Sequence, residues 1–414
     1  MEKRLEIEEC RSRITSCISP QAETEDVDVS DCAGRVLANE VTAGMMVPPF
    51  PKSAMDGYAV RADDIKCADR KEPAVLRVVG ELLAGDYKEI SFEPFTAVRV
   101  MTGAFIPDGY DAVIRQEDTD LGMQSVSVYS SVRPYTNYCR VGEDIKEGET
   151  VIPKNTRLRP CHAGLLASLG LERVRVYRPA KIAIISTGTE LTEPGADLAP
   201  GRIYNSIAYM LAASIKAEGL TVVSMETCAD DEQLLEERLN RALCAADFVI
   251  TTGGVSVGKR DIVPGVLGHM GAEELFRRAN IQPGTPTLAS VLNGKVILSL
   301  SGNPYAAMAN FELYFWPSMA VFMQNLSFDI KVADAVLKSE YNKINKMRRL
   351  IRAYASDGEV VIPSPVHASS VIRNLTECNC FIDLEGGRGV KQGDTVRVIY
   401  FKNQNGSVYK WNRA

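Results

Sequence analysis

Histidine is nearly missing from this 414-residue chain; the three present, His162, His269 and His367, lie far apart. That scarcity argues against a histidine-rich metal centre and against a serine–histidine–aspartate triad. Cys-x-x-Cys pairs are absent as well. The ten cysteines are scattered, and the one close pair, Cys378 and Cys380, has neither a second pair nor neighbouring histidines to complete a zinc site. Reduced thiols in a cytosolic protein are the expectation. No apolar run is long enough to span a bilayer: the richest, Phe311 to Met323, is cut by Glu312 and Pro317. The opening MEKRLEIEECRSRI is charged and has no signal-peptide core. A cytoplasmic protein with no membrane partner is therefore expected. Excess positive charge is also lacking. With 47 Lys and Arg against 53 Asp and Glu, the net charge is −6, not the basic footprint of a nucleic-acid binder. An anionic ligand would need locally placed cations. There is no tandem repeat and no low-complexity tract.

What is present is globular: 45% apolar and 24% charged residues, in a length that suits roughly three domains. From Lys181 onward, strand-length apolar runs alternate with helical periodicity. KIAIIS, LTVVSMET, DFVITT and VILSLS read as strands; Asn205 to Gly219 and Asp230 to Ala245 read as helices with one apolar stripe each. Asp230 is placed as the cap of the second helix, in a capping box with Gln233. Asn303 and Pro304 suit the cap and first position of a further helix. The expected fold is an α/β multidomain chain whose centre is a doubly wound, mostly parallel sheet over 179–329. Short valine-rich runs separated by Gly, Pro and Asp predict a small β domain over 46–139 and a barrel-like β domain over 330–414. Residues 1–45 are expected to join 140–178 in an elongated helical and linker domain.

Ligands of such sheets bind beyond the carboxyl ends of the strands. Four polar or Gly-rich loops leave those ends: Ser186 to Glu190, the turn at Asp230, Gly253 to Asp261, and Ser299 to Asn303. The third, TTGGVSVGKRD, spaces Gly253, Gly258 and Lys259 like a nucleotide phosphate loop. Arg260, however, stands where that loop needs a magnesium-binding Ser or Thr. Its glycines still let backbone N–H groups approach an anion.

Taken together, PPFPKSAMDGYAVRADD (Pro48 to Asp64), TGAFIPDGYDAVIRQED (Thr102 to Asp118), CRVGEDIKEGE (Cys139 to Glu149), STGTEL, TTGGVSVGKRD and SGNP are much more specific. They resemble, in order and over nearly the whole chain, the molybdopterin molybdenumtransferase family: the MoeA-like enzymes and the related E domain of gephyrin. The resemblance implies insertion of molybdate into adenylylated molybdopterin, with magnesium-assisted cleavage of the pyrophosphate bond and release of AMP. It implies five acids in the active site, Asp56, Asp144, Glu190, Asp230 and Asp261. Glu190, Asp230 and Asp261 are the metal and phosphate-side group. Thr102, Thr187, Gly188, Gly253, Gly254, Ser256, Arg278, Pro283, Gly302, Asn303 and Ser369 are the substrate-side group. Asp56 and Asp144 imply a cleft shared across a homodimer, and an adenylyltransferase is an implied partner that supplies substrate. Several of these residues also have a plainer reading: Asp230 and Asn303 as helix caps, Glu190 as a solvated loop acid, Asp56 as a turn residue, Asp144 as part of a solvated charge run.

The chain departs from the family pattern where anions are handled. The segment K-x-A-x-K-P-G-K-P becomes RANIQPGTP, so Arg278, Gln282 and Thr285 replace three lysines. Q-G-S becomes His367-Ala368-Ser369, and L-P-G-N-P becomes LSGNP. Arg277, Arg348, Arg352 and Arg373 are the candidates to compensate, and Arg278→Ala is expected to abolish molybdate-dependent AMP release. Three other readings stay open: a molybdopterin adenylyltransferase, a non-catalytic scaffold, and a tungstate-using variant.

Overall fold

Strand and helix alternate from Lys181 because each apolar run there is too short for anything but a buried strand. The computed structural model describes residues 4–255, 261–341, 343–364 and 366–402. In it the central sheet runs Thr221–Cys228, Lys181–Thr187, Phe248–Thr252, Lys295–Leu300, Pro286–Leu292, Glu273–Arg278. The first four strands are parallel. The last two are antiparallel, which the alternation does not announce. The cause is local: Asn293 and Gly294, both at positive φ, make a two-residue hairpin loop, and such a loop cannot carry a parallel crossover.

Successive residues of the parallel strands face opposite cores. Ile182, Ile184 and Ile250 pack with the helix Ile207–Ala217 and with the Pro304–Phe322 segment. Ala183, Ile185 and Val249 pack with the helices Glu232–Ala245 and Val263–His269. The sheet is thus covered on both faces, and its strand ends form the rim.

Around this centre, a five-stranded sheet is built from residues 57–128. The ribbon from Val47 to Ala54 runs antiparallel to residues 137–145. Strands Thr24–Asp28 and Arg173–Tyr177 pair within a unit that has its own core. The last unit is a ring of strands closed by pairing Arg348–Ser356 with Cys380–Leu384. Residues Ile281–Gln282 pair with Arg348–Arg349, which fixes the ring against the central domain.

The helix Ile7–Thr15 does not join that unit as Val29, Cys32, Leu37, Val41 and Ala43 do. Its buried stripe Ile7, Cys10 and Ile14 belongs to the central core with Phe276 and Tyr314. A hydrogen bond explains the docking. Pro317 has no N–H for the carbonyl four residues earlier, and that carbonyl, Leu313 O, accepts from Arg11 Nε at 2.8 Å. The helix carrying Pro317 adapts further by a π-turn over Phe311–Phe315.

That π-turn holds Glu312, completely buried. One of its carboxylate oxygens accepts the Lys402 backbone N–H at 3.1 Å, and the other has no partner among the described residues. Burial pushes its carboxyl up to about 8, partly opposed by the Lys402 hydrogen bond. The folded state therefore holds this proton where the unfolded chain, with a value near 4.5, releases it. Stability falls as pH rises through that window, by at most about 1.4 kcal/mol per pH unit. Glu312→Gln is expected to flatten the dependence and to raise the melting temperature at pH 8. Melting curves from pH 5 to 9 check this, and equal slopes for the two proteins refute it.

Candidate active site

The parallel strands Lys181–Thr187, Phe248–Thr252 and Lys295–Leu300 end side by side, and their loops touch through backbone. Gly188 N donates to Cys228 O and Gly253 N to Leu300 O, each at 3.0 Å. A Cβ on Gly253 would lie 2.3 Å from Thr187 O, and one on Gly254 would lie 2.9 Å from Thr187 Oγ1. Both glycines have positive φ. Such approach leaves no room for a side chain and sets a floor of peptide groups.

Above that floor lies a cavity of about 400 Å³ lined by Thr187, Gly188, Glu190, Asp230, Gly253, Gly254, Asp261, Gly302 and Asn303, among others. All three expected metal-side acids are therefore in one place. Asp230 Oδ2 accepts from Thr189 N at 3.3 Å and Thr189 Oγ1 at 3.0 Å. The Glu190 carboxylate sits over Gly188, where an added Cβ would meet Oε2 at 2.7 Å. Asp230 is not the helix cap: Asp231 is, its carboxylate accepting from Leu234 N at 2.9 Å. Asn303 occupies the cap position of the helix Pro304–Asn310, but its side chain makes no cap hydrogen bond. Both side chains are thus available to the cavity. Ser256 lies outside the described residues, as do Gly258, Lys259 and Arg260.

A second cavity, of about 860 Å³, opens between the central domain and the barrel. Pro286, Ser301 and Asn303 line both cavities, so the two adjoin. Pro283 and Ser369 line the second. Its positive groups are Arg349 and Lys343, neither singled out by the motifs. Arg349 is only 7% exposed, and its Nε has no hydrogen-bond partner among the described residues. Of the proposed compensators, Arg348 is committed elsewhere: it is paired with Asp383 at 2.7 Å and Glu8 at 2.9 Å. Arg352 stacks 4.0 Å over the Tyr305 ring and donates to the carbonyls of Val366 and Val371. It holds the loop that carries Ser369 and does not itself line the cavity. Arg277 is bonded to Glu274, and Arg373 starts a short 3-10 turn. Arg278, half-buried opposite Pro286 in the edge pair, lines neither cavity.

Asp56 and Asp144 line neither cavity of their own chain. Asp56 Oδ1 accepts both the backbone N–H and the hydroxyl of Thr102 at 2.7 Å, which holds its carboxyl below the usual range. Asp144 is exposed at the far end of the same ribbon, its N–H bonded to Val47 O.

Three stretches of the chain match families of known proteins. Residues 5–170 match the MoeA N-terminal region (domain I and II), 183–320 a probable molybdopterin binding domain, and 334–401 the MoeA C-terminal region (domain IV). The molybdopterin molybdenumtransferase of Bacillus subtilis (strain 168) is 36% identical over 400 residues, covering 95% of this chain and 93% of that protein. The chain belongs to the MoeA family. A molybdopterin molybdenumtransferase of Haemophilus influenzae is 32% identical, over 96% of this chain and 99% of its own length. A crystal structure of a MoeA protein from Pyrococcus horikoshii OT3 superposes with a TM-score of 0.82 at 27% identity, over 96% of this chain and all of that one. Within this MoeA-family chain, the acids of the strand-end cavity are supplied by loops that the motifs identify. The cations of the second cavity are not, because Arg348 and Arg349 are adjacent in a strand and face opposite ways. Sequence alone does not say which of the two turns inward.

Proposed function

We propose that this chain is a molybdopterin molybdenumtransferase that inserts molybdate into adenylylated molybdopterin and releases AMP. The observation that carries the reading is the pair of adjoining cavities, one lined by carboxylates and the other by cations. A substrate with a pyrophosphate at one end and a dithiolene at the other suits that division. The phosphate end occupies the strand-end cavity, against the peptide floor of Gly253 and Gly254. The dithiolene end occupies the second cavity, beside Arg349, Lys343 and Ser369, where an oxyanion finds its positive charge. No helix among the described residues is long and apolar enough to cross a membrane. A soluble, cytoplasmic enzyme remains the reading.

The donor set suits magnesium. Glu190, Asp230 and Asp261 offer hard oxygens from three loops, yet among the described residues no three such groups stand close enough to hold an ion alone. Magnesium commonly takes one or two carboxylates and completes its shell with water and substrate phosphate. When bound, it neutralises charge on the phosphate oxygens as the P–O bond breaks. The chain's own part is positioning: Thr189 fixes Asp230, and the glycine contacts hold the loops in register.

Asp56 and Asp144 complete the reading through a second subunit. Their ribbon exposes Met46, Phe50, Met55 and Val141, an apolar surface for a homodimer partner. Incubation with adenylylated molybdopterin, magnesium and molybdate is expected to release AMP and yield metallated cofactor. Mixing Asp56→Asn with Asp261→Asn subunits is expected to restore part of the activity that each lacks alone. Pyrophosphate release from molybdopterin and MgATP would support the adenylyltransferase reading instead. Tight binding of the adenylylated pterin with no AMP would support a scaffold.

A further inference from the structure

The loop between the edge strands Glu273–Arg278 and Pro286–Leu292 puts Pro283, Gly284 and Thr285 on the wall of the second cavity. Its ends are held by backbone. Ile281 and Gln282 pair with Arg348 and Arg349, and Ala279 N donates to Thr285 O at 3.1 Å. Its apex is held by a side chain. Asn310, fully buried at the end of the helix Pro304–Asn310, donates from Nδ2 to Gly284 O at 3.1 Å. A carbonyl only accepts, so the amide must present its NH2 group there. The contact is close: a Cβ on Gly284, whose φ is 104°, would stand 2.5 Å from Asn310 Oδ1.

Stability alone does not call for this residue. Asn310 Oδ1 has no hydrogen-bond partner among the described residues, and a half-used amide in a core costs free energy that an apolar side chain of the same size would not. Asn310 lines neither cavity, so its effect on the wall runs through peptide geometry. Gly284–Thr285 is a trans peptide, in which C=O and N–H point in opposite directions. With the Gly284 carbonyl turned to the buried helix, the Thr285 N–H is turned away from it. That N–H has no acceptor among the described residues. The Thr285 hydroxyl is already engaged, donating to Ile281 O at 2.5 Å.

We propose that Asn310 is a positioning residue for oxyanion binding: it holds the Gly284–Thr285 peptide so that the Thr285 N–H donates to a tetrahedral oxyanion in the second cavity. Arg349 supplies charge there, and the peptide supplies a neutral donor. Without Asn310, the buried Gly284 carbonyl is left unpaired and turns toward water in the cavity. The same rotation withdraws the N–H and brings an oxygen toward the anion. The proposal deepens the molybdenumtransferase reading and rests on it for molybdate as the oxyanion.

The test uses the full chain with molybdate as probe. Gly-Thr occurs twice in the sequence, at Gly188–Thr189 and Gly284–Thr285. Labelling glycine carbonyl carbon and threonine nitrogen with NMR-active isotopes therefore isolates these two peptides, and Thr189→Ser assigns them. In the wild type, molybdate is expected to shift the Thr285 signal and to leave that of Thr189, whose N–H donates to Asp230 at 3.3 Å, in place. Asn310→Leu, of similar size, and Asn310→Ala are expected to abolish the shift. Both are expected to weaken molybdate binding by about tenfold or more, as loss of a hydrogen bond to a charged group does. A merely structural Asn310 would lower the melting temperature and leave molybdate affinity, read by calorimetry well below it, at the wild-type value. That affinity in either folded variant, an unmoved Thr285 signal, or no molybdate binding by the wild type overturns the proposal. AMP release is measured separately. A Thr285 shift that the variants lose, with no AMP release by the wild type, sinks the enzyme reading alone. AMP release by the variants at the wild-type KM for molybdate sinks this inference alone.

Discussion

Arg349→Met is expected to lower kcat/KM for molybdate by about ten- to a hundredfold, mostly through KM, with little change in melting temperature. The guanidinium is buried at the wall of the second cavity, and its Nε has no hydrogen-bond partner among the described residues. A hydrogen bond to a charged group contributes about 1.5–3 kcal/mol, and 1.4 kcal/mol is a factor of ten. Methionine fills similar space, so the fold keeps its packing and loses only the charged donor. Arg348→Met should behave in the opposite way. It strips Asp383 and Glu8 of their shared partner and so costs stability. Arg278→Ala is the informative control. The family pattern places an anion contact there, yet the side chain lines neither cavity. Its KM for molybdate is expected to stay within a few-fold of wild type. Initial rates of AMP release against molybdate concentration, at fixed adenylylated molybdopterin, separate the three variants. If Arg278→Ala is dead and Arg349→Met is normal, oxyanion handling belongs to the 278–286 segment after all.

Much of the central domain was legible because its signals are local. Short apolar runs and helical stripes needed only a few residues each to declare themselves, and the loops between them carried the glycines and acids. What escaped depended on contacts distant in sequence. Nothing near Pro317 says that its orphaned carbonyl will take Arg11, some 300 positions earlier, and draw the first helix onto the central core. The motif over 278–286 says nothing of the antiparallel ladder that Glu273–Arg278 and Pro286–Leu292 form on either side of it. The anion side was hidden by strand alternation, where a single step from Arg348 to Arg349 exchanges a structural ion pair for a cavity wall. Asp230 shows the same one-residue sensitivity. A cap at Asp231 leaves its neighbour to Thr189 and the site, and the sequence D-D-E-Q accommodates either arrangement.

Gly253→Ala is expected to lower AMP release by at least about a hundredfold while the protein stays folded. Its φ of 86° alone costs a residue with a Cβ about 1–2 kcal/mol. The larger effect is geometric. The new methyl would stand 2.3 Å from Thr187 O, on a neighbouring strand of the same sheet, and neither backbone can yield without moving its loop. Gly302 is packed against the same glycine, for a Cβ on it would stand 3.4 Å from the Gly253 Cα. Those loops carry Glu190, Asp261 and Asn303, so one methyl displaces several cavity residues together. A misplacement of about 1 Å at a catalytic centre can cost two orders of magnitude in rate. Gly265→Ala is the matched control. It lies in the helix Val263–His269 with open space around its Cβ position and no positive φ, and should be neutral or slightly stabilising. Rates at a temperature well below both melting points, with circular dichroism on the same samples, distinguish local distortion from unfolding. Near-normal AMP release by Gly253→Ala would mean that the close packing of these strand ends does not set the geometry of the site.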